Sequence, residues 1–165
     1  MQLPDAERLL AELAEKIRPL LSPNTALVGI HSGGAWLAER LRAMLGGEIP
    51  LGELDISFYR DDFERIGLHA QVRPTHMPFE VEGRHIILVD DVLYTGRTIR
   101  GAMNELFDYG RPEKITLAVL VDRGGREMPV EAQVVGTRLA LQPQQNLQLE
   151  RNAAGKFFLK LVDVA

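Results

Sequence analysis

The chain has 165 residues, 45% of them hydrophobic and 25% charged, with 19 Lys and Arg against 23 Asp and Glu for a net charge of −4. That composition is one of a single soluble domain over residues 1–165, and the absence of cysteine excludes a disulfide framework, a thiolate zinc site and a cysteine nucleophile. No run approaches the roughly 20 apolar residues of a membrane span and no basic-then-apolar leader opens the chain, so a cytoplasmic location is expected; the acidity counts against a broad affinity for nucleic acid.

Residues Asp5 to Arg18 set Leu9, Leu10, Leu13 and Ile17 at helical spacing, which predicts an amphipathic helix ended or kinked by Pro19. Ala26 to Ile30 is a short apolar run of the kind that forms a buried strand. His31-Ser32-Gly33-Gly34 follows, and a second helix runs from Ala35 to Leu45 and stops at Gly46-Gly47. Leu54 to Phe58 alternates apolar and polar residues, which predicts a half-exposed strand. From Arg60 to Pro78 there is no period, so a long functional loop is expected.

Ile86 to Val89 is a second buried strand leading into Asp90-Asp91-Val92-Leu93-Tyr94-Thr95-Gly96-Arg97-Thr98, with a third helix from Thr98 to Tyr109 halted by Gly110 and Pro112. Ile115 to Val121 is a third buried strand, followed by the polar turn Asp122 to Glu127. Shorter strands are predicted near Gln133 to Val135 and Phe157 to Val162. Apolar strands alternating with helices give an α/β fold, a mostly parallel sheet with helices on both faces, whose ligands sit beyond the carboxyl ends of the strands.

Two ligand chemistries meet after the second strand. Asp90 and Asp91 offer carboxylates to hydroxyls or a metal. Thr95-Gly96-Arg97-Thr98, at a helix start, offers backbone amides, two hydroxyls and a cation to an anion. A sugar phosphate satisfies both, with its vicinal hydroxyls on the acids and its 5′-phosphate in the loop. Adjacent Asp residues also serve as turn formers and Thr-Gly-Arg-Thr as a plain helix cap, but the joint arrangement after an apolar strand favours the ligand site. The glycines match neither a Walker loop nor a dinucleotide fingerprint.

Ile86 to Thr98, IILVDDVLYTGRT, resembles the phosphoribosyl pyrophosphate motif of type I phosphoribosyltransferases. LDISFYRDD at 54–62, GRP at 110–112 and LAVLVDRGGREMP at 117–129 are similar to the pyrimidine-operon regulators that also act as uracil phosphoribosyltransferases. The resemblance runs from about Leu27 to Gly136 and implies the type I fold with a small hood. It gives Asp90 and Asp91 the ribose hydroxyls, and Thr95, Gly96, Arg97 and Thr98 the 5′-phosphate. Ser32, Gly33 and Gly34 take the pyrophosphate, where the operon regulators more often carry Thr-Arg-Gly, so one cation is missing. Arg60 opens a catalytic loop that closes over the reaction centre. Tyr94, Val121, Asp122 and Arg123 fall near the base, and Tyr94 stands where purine enzymes hold an Asp, which disfavours purines.

The implied reaction converts uracil and phosphoribosyl pyrophosphate to UMP and pyrophosphate. Mg²⁺ is bound by substrate, water and one or two carboxylates rather than by a dedicated all-protein cage, and the chain acts as a homodimer or higher homo-oligomer. The alternative is a UMP-sensing, RNA-binding regulator of pyrimidine genes that meets a leader transcript and has little transferase activity of its own. Residues 5–18 hold one acid more than they hold bases, a poor surface for phosphates.

Overall fold

The computed structural model describes residues 1–56 and 75–163. α1 is Ala6–Ile17, entered through Asp5, whose carboxylate accepts the backbone N–H of Glu7 at 3.0 Å. Such a cap satisfies one of the four donors a helix start leaves open, and Glu7 in the first turn suits the positive end of the helix dipole. Leu9, Leu10, Leu13 and Ile17 are all buried, as their spacing requires. Pro19 does not stop the chain abruptly, because a short 3-10 turn, Arg18–Leu20, accepts it near the start, where its missing N–H costs nothing.

The main sheet has five parallel strands in the order β2-β1-β3-β4-β5: β1 Thr25–Ile30, β2 Leu51–Leu54, β3 His85–Leu93, β4 Lys114–Asp122 and β5 Val134–Arg138. α1 and α2, Gly33–Met44, pack on one face with Leu27, Ile87 and Leu120, while α3, Arg97–Asp108, packs Ile99, Ala102 and Leu106 against Val28, Ile86 and Leu88 on the other. Both faces are therefore covered, which is why β1 and the core of β3 are apolar without alternation. Leu13 is fully buried in the first of these layers, and Leu13→Ala is expected to destabilise the fold by about 2–5 kcal/mol, read as a lowered denaturation midpoint.

Two boundaries differ from expectation for the same reason. The predicted strand at 54–58 is replaced by β2, Leu51–Leu54, which pairs Leu27 with Leu51 through Ile30 with Leu54 and ends where β1 ends. Asp55 and Ile56 continue inward beyond the ladder, and residues 57 and 58 lie outside the described residues, as does Arg60. β3 in turn runs past Val89 and carries the acid pair inside the strand, because its pairing with β4 continues to Leu93 opposite Asp122. Ladder bonds join backbones, so a carboxylate side chain does not end a strand that still has a partner.

β6, Gln145–Arg151, was not expected from the sequence. It pairs antiparallel with β7, Phe157–Asp163, to form a two-stranded hood that buries Leu147, Leu149, Phe157 and Leu159 in the same core as α1 and α2. Trp36 of α2 stacks on Phe157, ring centroids 6.4 Å apart and 9° from parallel, with the Arg151 guanidinium 4.0 Å over the indole. Glu7 completes this seam by accepting Arg40 at 2.6 Å and the Phe157 N–H at 2.8 Å.

At the amino end of the central strand β3, His85 is buried between Thr25 and Thr116, 3.3 and 2.7 Å from their hydroxyls. Burial, followed by the charge of Lys114, depresses its pKa, so the folded state holds it neutral. A depressed histidine contributes stability that is complete above its unfolded pKa of about 6.5 and is lost as pH falls towards the lower folded value. Thermal midpoints are accordingly expected to drop on acidification below that point, and less steeply in His85→Gln.

Candidate active site

The carboxyl ends of β1, β3 and β4 open onto a cleft of about 220 Å³ roofed by the hood. His31 and Ser32 line it from the turn after β1 and Gly33 from the start of the following helix, Asp90 and Asp91 from β3, Tyr94 from the loop after it, Thr98 from the first turn of α3, Arg123 from just after β4, and Asn146 and Leu147 from β6. This is where an open parallel sheet holds its ligand.

The acids are locked by their own backbone. Asp90 is buried and its Oδ1 accepts the N–H of Asp91 at 2.9 Å, while Asp91 Oδ1 accepts the N–H of Val92 at 2.8 Å. Carboxylates fixed this way need little reordering to meet a pair of hydroxyls. Across the cleft, a Cβ placed on Gly33 would collide with the Asp91 carboxylate, and one placed on Gly34 would collide with the carbonyl of Val89. The backbone after β1 thus reaches the acid strand only because both positions are glycine. Gly34 itself is packed against β3 and does not line the cleft.

The loop before α3 divides its labour. Gly96 has φ +91°, a left-handed conformation suited to glycine, and closes the turn. Thr95 precedes the cap, its hydroxyl accepting the Arg97 N–H at 3.2 Å. Thr98 reaches the cleft, whereas the Arg97 side chain turns to Glu127, with Nε donating to Oε1 at 2.8 Å. Of the four residues Thr95 to Thr98, Thr98 lines the cleft, while the Arg97 Nε is engaged with Glu127.

The residues after β4 separate in the same way. Val121 is fully buried in the core and brings no side chain to the cleft. Asp122 faces a neighbouring hollow beside Arg138 and is bound by Arg126 Nη2 at 2.6 Å. Burial alone would raise the Asp122 pKa, but the bonds from Arg126 and from the Gly124 N–H, with the charges of Arg126 and Arg138, outweigh it and hold the carboxyl below its ordinary value. Arg126 also donates to the carbonyls of Val130 and Tyr94 at 2.8 and 2.9 Å, riveting the loop to the end of β3. Arg123 is buried, with its guanidinium 3.8 Å from the centre of the half-exposed Tyr94 ring.

Asn146 and Leu147 were missed because the hood has no motif; the alternation of Leu147 and Leu149 was its only signal. His31 also lines the cleft, with Nε2 3.0 Å from Glu53 Oε2. Among the described residues no three acids or histidines are grouped to hold a metal. Asp90 and Asp91 nevertheless suit Mg²⁺, which keeps most of its water and takes one or two carboxylates plus phosphate oxygens. Among the described residues, too, no helix is long and apolar enough to cross a membrane.

The phosphoribosyl transferase domain family matches residues 2–146. The bifunctional protein PyrR of Nitrosococcus oceani is 55% identical over 140 residues, covering 84% of this chain and 79% of that one. The bifunctional protein PyrR of Pseudomonas aeruginosa PAO1 is 51% identical over 153 residues, 90% of each chain. Among solved structures, a hypoxanthine phosphoribosyltransferase of Staphylococcus aureus superposes with a TM-score of 0.64 at 20% identity, over 84% of this chain and 75% of that one, a likeness of fold. A purine phosphoribosyltransferase of Pyrococcus horikoshii gives 0.62 at 27% identity, over 84% and 87%.

Proposed function

The chain belongs to the PyrR family within the type I phosphoribosyltransferase superfamily, and on that premise we propose that it joins uracil to the ribose of phosphoribosyl pyrophosphate, giving UMP and pyrophosphate. The observation that carries this reading is the meeting, in one cleft, of the paired carboxylates of β3 with the helix start that carries Thr98. Asp90 and Asp91 accept the ribose hydroxyls, the amides at the start of α3 with Thr98 hold the 5′-phosphate, and the backbone of Ser32 to Gly34 lies on the pyrophosphate side. The base lies towards Tyr94, Arg123 and the hood.

The bond from N1 of uracil to the anomeric carbon forms as the bond from that carbon to the pyrophosphate oxygen breaks. The electron pair departs with pyrophosphate, and the N1 proton passes to solvent or to a pyrophosphate oxygen. The Asp90 carboxylate, buried at the cleft, favours positive charge developing on the ring it holds. No protein nucleophile is needed, and bound Mg²⁺ supplies charge neutralisation at the pyrophosphate. Arg60, outside the described residues, is assigned to the pyrophosphate. The chain is assigned to the cytoplasm, as a homodimer or higher homo-oligomer, and works as one domain, since the hood shares the core of α1 and α2.

UMP formation from uracil and phosphoribosyl pyrophosphate with Mg²⁺, followed by chromatography, tests the reading. It fails if the wild type makes none and the Asp90→Asn and Asp91→Asn variants bind the sugar substrate as well as the wild type does. A second activity is favoured by the word bifunctional in the names of the relatives, and its form would be UMP-sensing recognition of a pyrimidine leader RNA. On α1, however, Arg8 lies 3.8 Å from Glu12, Arg18 lies 3.2 Å from Glu15, and Lys16 donates to the Val135 carbonyl at 2.7 Å. That helix presents no unopposed basic face, so α1 is not expected to carry such a transcript, and the absence of a mobility shift at low salt would leave only the transferase. A shift that weakens with added salt would favour the regulator instead.

A further inference from the structure

Arg123 is the first residue after β4, and its N–H donates to the Leu93 carbonyl at 3.0 Å, fixing its backbone beside the end of β3. Its side chain then leaves the main sheet altogether. Nη1 donates to the carbonyl of Gln145 at 2.8 Å and Nη2 to that of Gln142 at 3.1 Å, both in the turn that opens the hood, while the flat of the guanidinium covers Tyr94. One buried side chain thus joins the floor of the cleft to its roof, immediately before Asn146 and Leu147. One N–H of each terminal nitrogen is thus committed to a hood carbonyl.

The arrangement is not what packing alone would select. Nε is buried without an acceptor, a state that costs stability and that an aliphatic residue would avoid. Nor would lysine serve. Its point charge cannot bond two carbonyls in a plane while stacking on a ring.

We propose that Arg123 is a positioning residue, a latch that holds the hood down on Tyr94 and sets where Asn146 and Leu147 stand over the nucleobase. This rests on the transferase reading for its kinetic consequence but not for its structural one. The far end of the hood supplies a separate reporter, because Trp36, the single tryptophan of the chain, is stacked between Phe157 and Arg151.

The test uses Arg123→Lys, with Arg123→Met as an apolar replacement of similar length, in the full chain. Hydrogen exchange of the 145–149 amides is expected to accelerate about tenfold or more in both variants, since local opening sets that rate. The KM for uracil is expected to rise roughly tenfold to a hundredfold, equivalent to about 1.4–2.8 kcal/mol, with the KM for phosphoribosyl pyrophosphate within about twofold of wild type. A general loss of stability would raise both. Exchange at 145–149 and Trp36 emission that match the wild type in both variants would overturn the latch, as would KM values for the two substrates that rise together. Should the wild type form no UMP, the transferase reading falls, while the exchange and emission measurements still decide whether Arg123 holds the hood.

Discussion

Asp90→Asn combined with Asp91→Asn is expected to lower kcat/KM for UMP formation by roughly 10²–10⁴, while the folded chain is retained. Each carboxylate is proposed to accept a ribose hydroxyl, and a hydrogen bond to a charged group contributes about 1.5–3 kcal/mol. Two of them give about 3–6 kcal/mol if they act independently, which side chains on adjacent residues need not do. Asn keeps the size of the side chain and one oxygen, so the bonds from the Asp91 and Val92 amides have an acceptor in the variant and the end of β3 stays formed. The measurement is steady-state UMP formation beside a thermal melt of each variant. Full activity in the double variant would remove the acids from the mechanism, whereas a collapsed melt would mean that their role is to build the strand end.

The second large effect is expected from Gly34→Val. A side chain there meets the Val89 carbonyl and, at 3.0 Å, the Asp90 Cα, and both obstacles are backbone in a central strand that cannot rotate away. Either α2 lifts from the sheet or β3 bends, at a cost of about 3 kcal/mol. For a chain of this length that is a fall of roughly 6–12 °C in melting temperature. The damage should also reach function, because lifting α2 carries Ser32 and Gly33 away from Asp91. Calorimetry and equilibrium binding of pyrophosphate test both halves. A variant that melts and binds like the wild type would show that α2 does not press on β3 as described.

The acid pair was legible in the sequence, and the reason is locality; Gly34 was read there as a pyrophosphate residue, whereas the structure packs it against β3. An acid pair, a glycine turn and a helix start separated by a few residues announce a phosphate-and-sugar site, because one short segment makes the whole constellation. Distance along the chain defeats that kind of reading. The hood is held by Arg123 bonding the carbonyls of Gln142 and Gln145, and a carbonyl has no signature in sequence. Arg97 looked like a phosphate ligand from its place in the loop, yet Glu127, thirty positions on, takes its side chain. The resemblance placed Val121 in the base region, and β4, buried on both faces there, keeps its side chain in the core. The displacement of β2 has the same origin: alternation at 54–58 was present, but the partner strand decides where a ladder stops.

Arg126 gives the last of these arrangements a thermodynamic meaning. By tying Asp122, Val130 and Tyr94 together, it builds the loop after β4 during folding. The conformational freedom of that loop is surrendered once in the life of the molecule rather than in every turnover, so the entropy of ordering it drops out of the affinity for the incoming base. Such a cleft should bind with a small entropic penalty, and its affinity should change little when the solvent alters loop flexibility.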